Sequence, residues 1–383
     1  MNRKKKVLIL VDWYLPGYKA GGPIQSVANI VGHLKDDFEF KIITSDTDLH
    51  ATAPYPDIKP DSWNKREDGI AVYYFSAANR SFSKLKEIIL NEQSDVIYLN
   101  SLFSVFFTIY PLIIRKSFLP NRKLVLSPRG MLGKGALSIK PFKKKIFLSG
   151  AKLLGLYKGI RWSVSSELEG NEVRKKFGKN ALIQIALNLT APRELHAAPR
   201  RKLSGLLRLV FISRISYKKN LEGTLKLLAQ MPVDCKVEFD IYGPIEEPEY
   251  WNRCEELIKE LPPHIKAEYK GPIANNQVVK TLQSYHLSIL LTFNENFGHS
   301  IIESMAAGCP VLLSDQTPWK GLEALKAGWD IPLDQEQKIL DALITVSKMD
   351  QVHFDQWSLS ALEYAGRIIH HPDAIHQNRL LFS

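Results

Sequence analysis

Residues Leu287 to Asp315 read LSILLTFNENFGHSIIESMAAGCPVLLSD. An apolar run, Leu287–Phe293, gives way to a polar loop carrying Glu295 and Gly298. Ser300–Ala307 then keeps its apolar residues at helical spacing, and a second apolar run, Pro310–Ser314, follows Gly308. Strand, helix and strand in quick succession make a βαβ unit, whose two strands must lie parallel because a helix joins them.

The same alternation extends outward from this stretch. Towards the N-terminus of the second half it gives strand Leu207–Ile212, helix Leu221–Met231 and strand Lys236–Tyr242, which ends in Gly243-Pro244. Helix Tyr250–Glu260, strand Ala267–Lys270 and helix Asn275–Ser284 complete the set. The first half repeats the plan with strands at Val7–Val11, Phe38–Thr44, Ala71–Phe75, Val96–Leu99, Lys123–Ser127 and Arg161–Val164. Helices are expected near Pro23–Leu34, Leu102–Arg115, Phe142–Leu156 and Glu167–Phe177. Between the halves lies LHAAPRRKLS, residues 195–204, polar and basic. The expected fold class is therefore α/β, with two Rossmann-like lobes facing across a cleft. Their bounds would be 1–195 and 205–356, with a linker at 196–204. A C-terminal helical segment, 357–383, is expected to pack back towards the first lobe.

Composition fits this plan. The chain has 383 residues, 45% of them hydrophobic and 24% charged, enough for two globular domains. Three cysteines (Cys235, Cys254 and Cys309) show neither a disulfide framework nor metal-ligand spacing, and suit a reducing compartment. The net charge of +11 is uneven. Residues 1–195 hold 31 Lys and Arg against 17 Asp and Glu, whereas residues 196–383 hold 20 against 23. A basic first half implies an anionic partner or a solvated basic surface. The apolar run Val7–Val11 is too short for a signal peptide. Val96–Ile114 lacks charge but contains Asn100, Ser101, Ser104, Thr108 and Pro111, and reads as strand, turn and helix rather than a membrane span.

Three loops carry the chemistry. WYLPGYKAGGPIQS sets Gly21 and Gly22 at a helix start, where bare N–H groups suit an anion; a plain tight turn is the alternative. It is not GxGxxG, which argues against a dehydrogenase. FISRISYKKNLEG puts Arg214 just after a strand and Lys219 just before a helix, so that two fixed cations can hold a diphosphate. Lys218 and Lys219 can equally be surface lysines. Glu295 and Glu303 lie eight positions apart, and carboxylates accept paired hydrogen bonds from vicinal hydroxyls. Glu303 also completes a capping box with Ser300 at the start of the helix.

Taken together, these elements resemble family 4 of the retaining glycosyltransferases, which have the GT-B fold. The resemblance rests on Glu295-x7-Glu303 with its NFGHSIIESMAAGCPVLLSD surroundings, Arg214 and Lys219, and the Gly21-Gly22 loop. Ser127-Pro-Arg-Gly130, Ile241-Tyr-Gly-Pro244 and Trp357 add to it. It implies that Arg214 and Lys219 bind the donor diphosphate, Glu303 the ribose and Glu295 the donor sugar. Backbone amides around Phe297, Gly298 and His299 would hold that sugar, and Gly22 would approach the donor phosphates or the acceptor. Gly21, Asn100 and Arg129 would contact sugar or acceptor. No metal or other cofactor is expected, so Asp46-Thr-Asp48 is not read as a metal site. Many members have a histidine where Asn100 stands, and a Pro-Asn-Gly turn where this chain reads Ala186-Leu-Asn188-Leu.

The resemblance implies transfer of a sugar from a nucleotide diphosphate sugar, expected to be a UDP-sugar, to a lipid-linked or growing surface-polysaccharide acceptor. The rivals are a nucleotide-sugar epimerase of the same fold and an inactive membrane-associated binding protein. Between Lys134 and Lys158, lysines interleave with Phe142, Ile146, Phe147, Leu148, Leu153 and Leu154. That pattern suits an anionic membrane surface or a helix packed on its own lobe. The expected location is cytoplasmic, peripheral on the inner face of the membrane. A nucleic acid partner is not expected, since no binding module accompanies the charge.

Overall fold

The structure, a computed structural model, describes residues 3–133, 137, 141–191, 195 and 199–383. The chain forms two compact units. Unit 1 comprises Met1–Pro192 and His371–Ser383, and unit 2 comprises Arg193–His370.

Unit 1 is built on an eight-stranded sheet. In chain order its strands are β1 (Lys5–Leu10), β2 (Phe38–Ser45), β3 (Trp63–Lys65), β4 (Ala71–Phe75), β5 (Val96–Leu99), β6 (Lys123–Leu126), β7 (Arg161–Val164) and β8 (Leu182–Ile185). The spatial order is β3-β4-β2-β1-β5-β6-β7-β8, and every pairing is parallel except that of β3 with β4. Val7, Ile9 and Val11 pack on one face of β1, with Leu8 and Leu10 on the other, because helices cover both sides of the sheet. Short β3 was not legible beforehand: three residues at an antiparallel edge carry too little pattern.

Unit 2 contains β9 (Leu206–Ile212), β10 (Lys236–Tyr242), β11 (Ile265–Gly271), β12 (Leu287–Leu290), β13 (Val311–Ser314) and β14 (Gly328–Ile331). All pairings are parallel, in the order β11-β10-β9-β12-β13-β14. This is the doubly wound 3-2-1-4-5-6 arrangement, whose direction of winding reverses between β9 and β12.

The structure divides the chain differently from the sequence expectation. Helix Gln351–Ile369 stays with unit 2: Ala361 and Ala365 are buried in that core, and Trp357 stacks on Trp329 with ring centroids 4.1 Å apart. Only helix Pro372–Phe382 joins unit 1, where Phe382 packs edge-on against Phe38, Phe40 and Tyr98. Of the expected linker, residues 196–198 lie outside the described residues. Arg200 and Lys202 are anchors of unit 2 rather than solvated linker residues. Arg200 donates to the carbonyls of Gln283, Gly308 and Ala307, while Lys202 donates to those of Leu203, Leu206 and Ser347. The carbonyls of Gln283, Ala307 and Ser347 lie at helix C-termini, where a buried cation is stabilising.

A candidate donor site at the switch point of unit 2

In a doubly wound sheet, ligands sit beyond the carboxyl ends of the strands where the winding reverses. In unit 2 that point lies between the loops after β9 and β12, and the expected residues of this unit gather there.

Ser213 to Lys219 follows β9 and is pinned to the turn after β10. Ser213 N–H donates to Tyr242 O at 3.1 Å, Ile215 N–H to Pro244 O at 2.9 Å, and Glu246 N–H to Ile215 O at 3.0 Å. Gly243 makes this approach possible: its φ is 140°, and a Cβ there would lie 1.8 Å from Ser213 O. Arg214, on this loop, donates to Glu246 Oε1 at 2.6 Å. A short helical turn, Tyr217–Lys219, then leads to Asn220, whose left-handed backbone (φ 54°) and side chain cap helix Leu221–Leu228.

The loop after β12 is tied to the first. Phe293 N–H and Thr292 Oγ1 each donate to Lys218 O at 2.9 Å, and the rings of Tyr217 and Phe293 stack with centroids 5.1 Å apart. Lys219 Nζ lies 2.5 Å from Glu295 Oε2, and both side chains are largely buried. Burial alone would raise the Glu295 carboxyl. The ammonium groups of Lys219 and Lys218, with hydrogen bonds from Lys219 and the Asn296 N–H, outweigh it and hold the group down to about 2. Glu295 is thus a fixed acceptor at neutral pH. Burial lowers Lys218 below the usual lysine range, opposed by the attraction of Glu295.

Past Glu295 the chain turns through Gly298 (φ 76°) into helix His299–Ala306. Trp319 Nε1 donates to the Phe297 carbonyl, and the Phe297 ring meets His299 at 5.0 Å and Trp319 at 5.3 Å. The capping box does not form. Gly298 is the N-cap and makes no side-chain cap bond, while Ser300 is already helical, its carbonyl accepting from Ser304 Oγ at 2.7 Å. Glu303 therefore falls beyond the first turn, where its Oε1 accepts from Asn275 Nδ2 at 3.4 Å. Arg200, through its bonds to Ala307 and Gly308, secures the other end of this helix.

The expected residues of unit 1 lie at its own switch point, between β1 and β5. Gly21 (φ 64°) precedes helix Gly22–Leu34, so Gly22 rather than Pro23 takes the first helical position. Asp48 holds the preceding loop by accepting from the N–H groups of Tyr18 and Lys19 at 2.9 and 3.2 Å. Asn100, after β5, is buried. Its Nδ2 donates to Pro23 O at 3.2 Å, and its Oδ1 accepts from Arg129 Nε at 2.6 Å. Arg129 also donates to Asn188 Oδ1 and, at 2.9 Å, to the Tyr98 hydroxyl. In this arrangement Asn100 and Arg129 bind each other, and the Asn188 of the altered turn is their third member.

Three groups went unread in the sequence. Glu246 and Asn275 partner site residues from distant loops, with no local signal to mark them. Glu169 accepts from the N–H groups of Gly130 and Ser165 at 2.6 and 2.8 Å and so fixes the turn bearing Arg129. Its place in the first turn of helix Glu167–Phe177 could have flagged it.

Comparisons with known proteins bear on the fold and on unit 2. Residues 193–351, within unit 2, match the family model described as "Glycosyl transferases group 1". No curated protein matches the chain. Solved structures match over nearly its whole length. HepE of Anabaena, crystallised with UDP and glucose, is 16% identical, with a TM-score of 0.72 over 98% of each chain. Sucrose-phosphate synthase of Thermosynechococcus elongatus is 16% identical, with a TM-score of 0.73 over 99% of this chain and 98% of that one. WaaG, a glycosyltransferase involved in lipopolysaccharide biosynthesis, is 12% identical, with a TM-score of 0.60 over 98% of each. At such identities the likeness establishes the fold: two Rossmann-like domains with parallel sheets, as in GT-B glycosyltransferases.

Proposed function

We propose that this protein is a retaining glycosyltransferase, moving a sugar from a nucleoside diphosphate sugar to a lipid-linked or growing surface-polysaccharide acceptor. The observation that carries the reading is the constellation at the switch point of unit 2, inside the segment that matches the glycosyltransferase family. Arg214 and Lys219 supply cations where a diphosphate departs, and the charge that develops on the leaving group strengthens their hold in the transition state. Glu295, ionised and fixed, accepts from hydroxyls of the donor sugar. Glu303 serves the ribose, and the backbone at Phe297, Gly298 and His299 lines the sugar. Neither a protein nucleophile nor a metal enters this scheme. A UDP-sugar is the donor we favour, since HepE was crystallised with UDP.

A membrane-borne acceptor is supported by helix Pro141–Leu153. Phe147 and Leu148 pack towards the core of unit 1, while Phe142, Ile146 and Leu153 stay exposed beside Lys145 and Lys152. Lys134 and Lys140 lie outside the described residues, as does the side chain of Lys143. Among the described residues no helix is long and apolar enough to cross a membrane. An exposed apolar face with flanking lysines suits docking on the inner, anionic face of the cytoplasmic membrane.

The test is a thermal-shift screen of the full chain against UDP-, GDP-, ADP- and dTDP-sugars in the presence of EDTA. Ligands that bind the folded state raise Tm by mass action. A selective shift, abolished in Glu303→Ala, is the expected result. No shift with any of the four overturns the reading.

A further inference from the structure

Three cations converge at the switch point of unit 2, and two are already neutralised. Arg214 is paired with Glu246 and Lys219 with Glu295. Lys218, next to Lys219 in the chain, is close enough to feel Glu295, Lys219, Arg214 and Glu246 electrostatically. Yet its ammonium makes no hydrogen bond or ion pair among the described residues, and it is only partly buried. Its backbone, by contrast, is fixed, because Lys218 O accepts from both Phe293 N–H and Thr292 Oγ1. Two carboxylates, Glu246 and Glu295, stand against three cations, so a half-buried ammonium with no ion pair of its own, on an immobilised turn, is costly unless a further anion completes it.

We propose that Lys218 is a third diphosphate-binding residue of this site and the one that supplies its uncompensated positive charge. This rests on the donor reading above. Each paired cation must divide its attraction between its carboxylate partner and an incoming phosphate, whereas Lys218 meets the phosphate with no ion pair to give up. The order of capture follows: the diphosphate is drawn to Lys218 first and engages Arg214 and Lys219 as it settles. Lys218 is thus a binding residue whose loss weakens ligands that carry phosphate and spares those that lack it.

Titration calorimetry on the full chain separates the possibilities. UDP, GDP, ADP and dTDP are each titrated into wild type, and the tightest is carried into K218M and K218R alongside its nucleoside. K218M is expected to weaken the nucleoside diphosphate by roughly 10- to 100-fold, the range for one lost hydrogen bond to a charged group. Nucleoside binding should not change. As the pH rises towards the ordinary lysine range, the wild-type affinity should decline earlier than that of K218R, which stays charged. Should K218M fail to fold, the pH comparison of wild type with K218R still decides. K218M binding within twofold of wild type overturns the proposal, as do identical pH profiles for wild type and K218R. If wild type binds none of the four nucleotides, the donor reading falls, and this inference with it.

Discussion

Lys219 and Glu295 form a largely buried ion pair, 2.5 Å between Nζ and Oε2, although 76 residues separate them in the chain. The pair joins the loop after β9 to the loop after β12 and prepositions both charges. Breaking it leaves one of them buried alone. Lys219→Ala is expected to cost about 3 kcal/mol of stability, the lower end for a broken buried pair, and to lower kcat by roughly 10²–10³-fold. Combining it with Glu295→Gln should restore much of the stability and none of the turnover. Urea titrations and initial rates on the four proteins of this cycle check both parts.

Gly243 is a second point of leverage. Alanine there places a Cβ against Ser213 O at a backbone angle that side chains avoid. Gly243→Ala should destabilise unit 2 by about 3 kcal/mol or more, and should weaken nucleotide binding by shifting the loop that carries Arg214. A Tm within a degree or two of wild type would show that the turn yields easily.

Acid stability should depend on His286. Burial pushes this imidazole down to about 4, and the folded chain uses its neutral form: Nδ1 accepts from Arg208 N–H at 3.0 Å, and Nε2 lies 3.1 Å from Arg201 O. Below the ordinary value near 6.5 the unfolded chain takes up a proton that the folded chain refuses. Stability is therefore full above pH 6.5 and falls as the pH drops towards 4, by about 3 kcal/mol from this group. Glu295 adds a lower window, since its contribution is present above about 4.5 and is lost as pH falls towards 2. Urea midpoints from pH 7 to pH 4 should slope for wild type and flatten in His286→Gln.

The exposed face of helix Pro141–Leu153 predicts lipid dependence. Ile146→Ser with Leu153→Ser should reduce co-sedimentation with phosphatidylglycerol vesicles by roughly tenfold or more. Tm should stay near that of wild type, because both side chains are exposed in the folded chain. Equal sedimentation of mutant and wild type would remove this helix from any membrane role.

Much of the fold was legible because a parallel sheet covered on both faces needs short, continuous apolar strands. Ala71–Phe75, Val96–Leu99, Arg161–Val164 and Lys236–Tyr242 appear with the bounds read from the sequence. The loops bearing Arg214, Lys219 and Glu295 were legible for a related reason: each directly follows such a strand, and polar residues placed there mark a rim.

What the sequence could not determine was pairing across distance. Ser300 and Glu303 have the spacing of a capping box, yet the helix starts earlier because Gly298, not Ser300, adopts the capping conformation. Arg200 looks like a solvated linker cation in the sequence, whereas folding buries it against the carbonyls of Ala307 and Gly308. The tertiary structure alone decided that Glu246 neutralises Arg214, that Glu295 neutralises Lys219, and that Lys218 makes no ion pair of its own among the described residues. Local sequence fixes which backbone conformations and which faces are available, through sterics and hydrophobic period. Charge compensation depends on distances of a few ångströms between remote segments, and only the assembled sheet sets those.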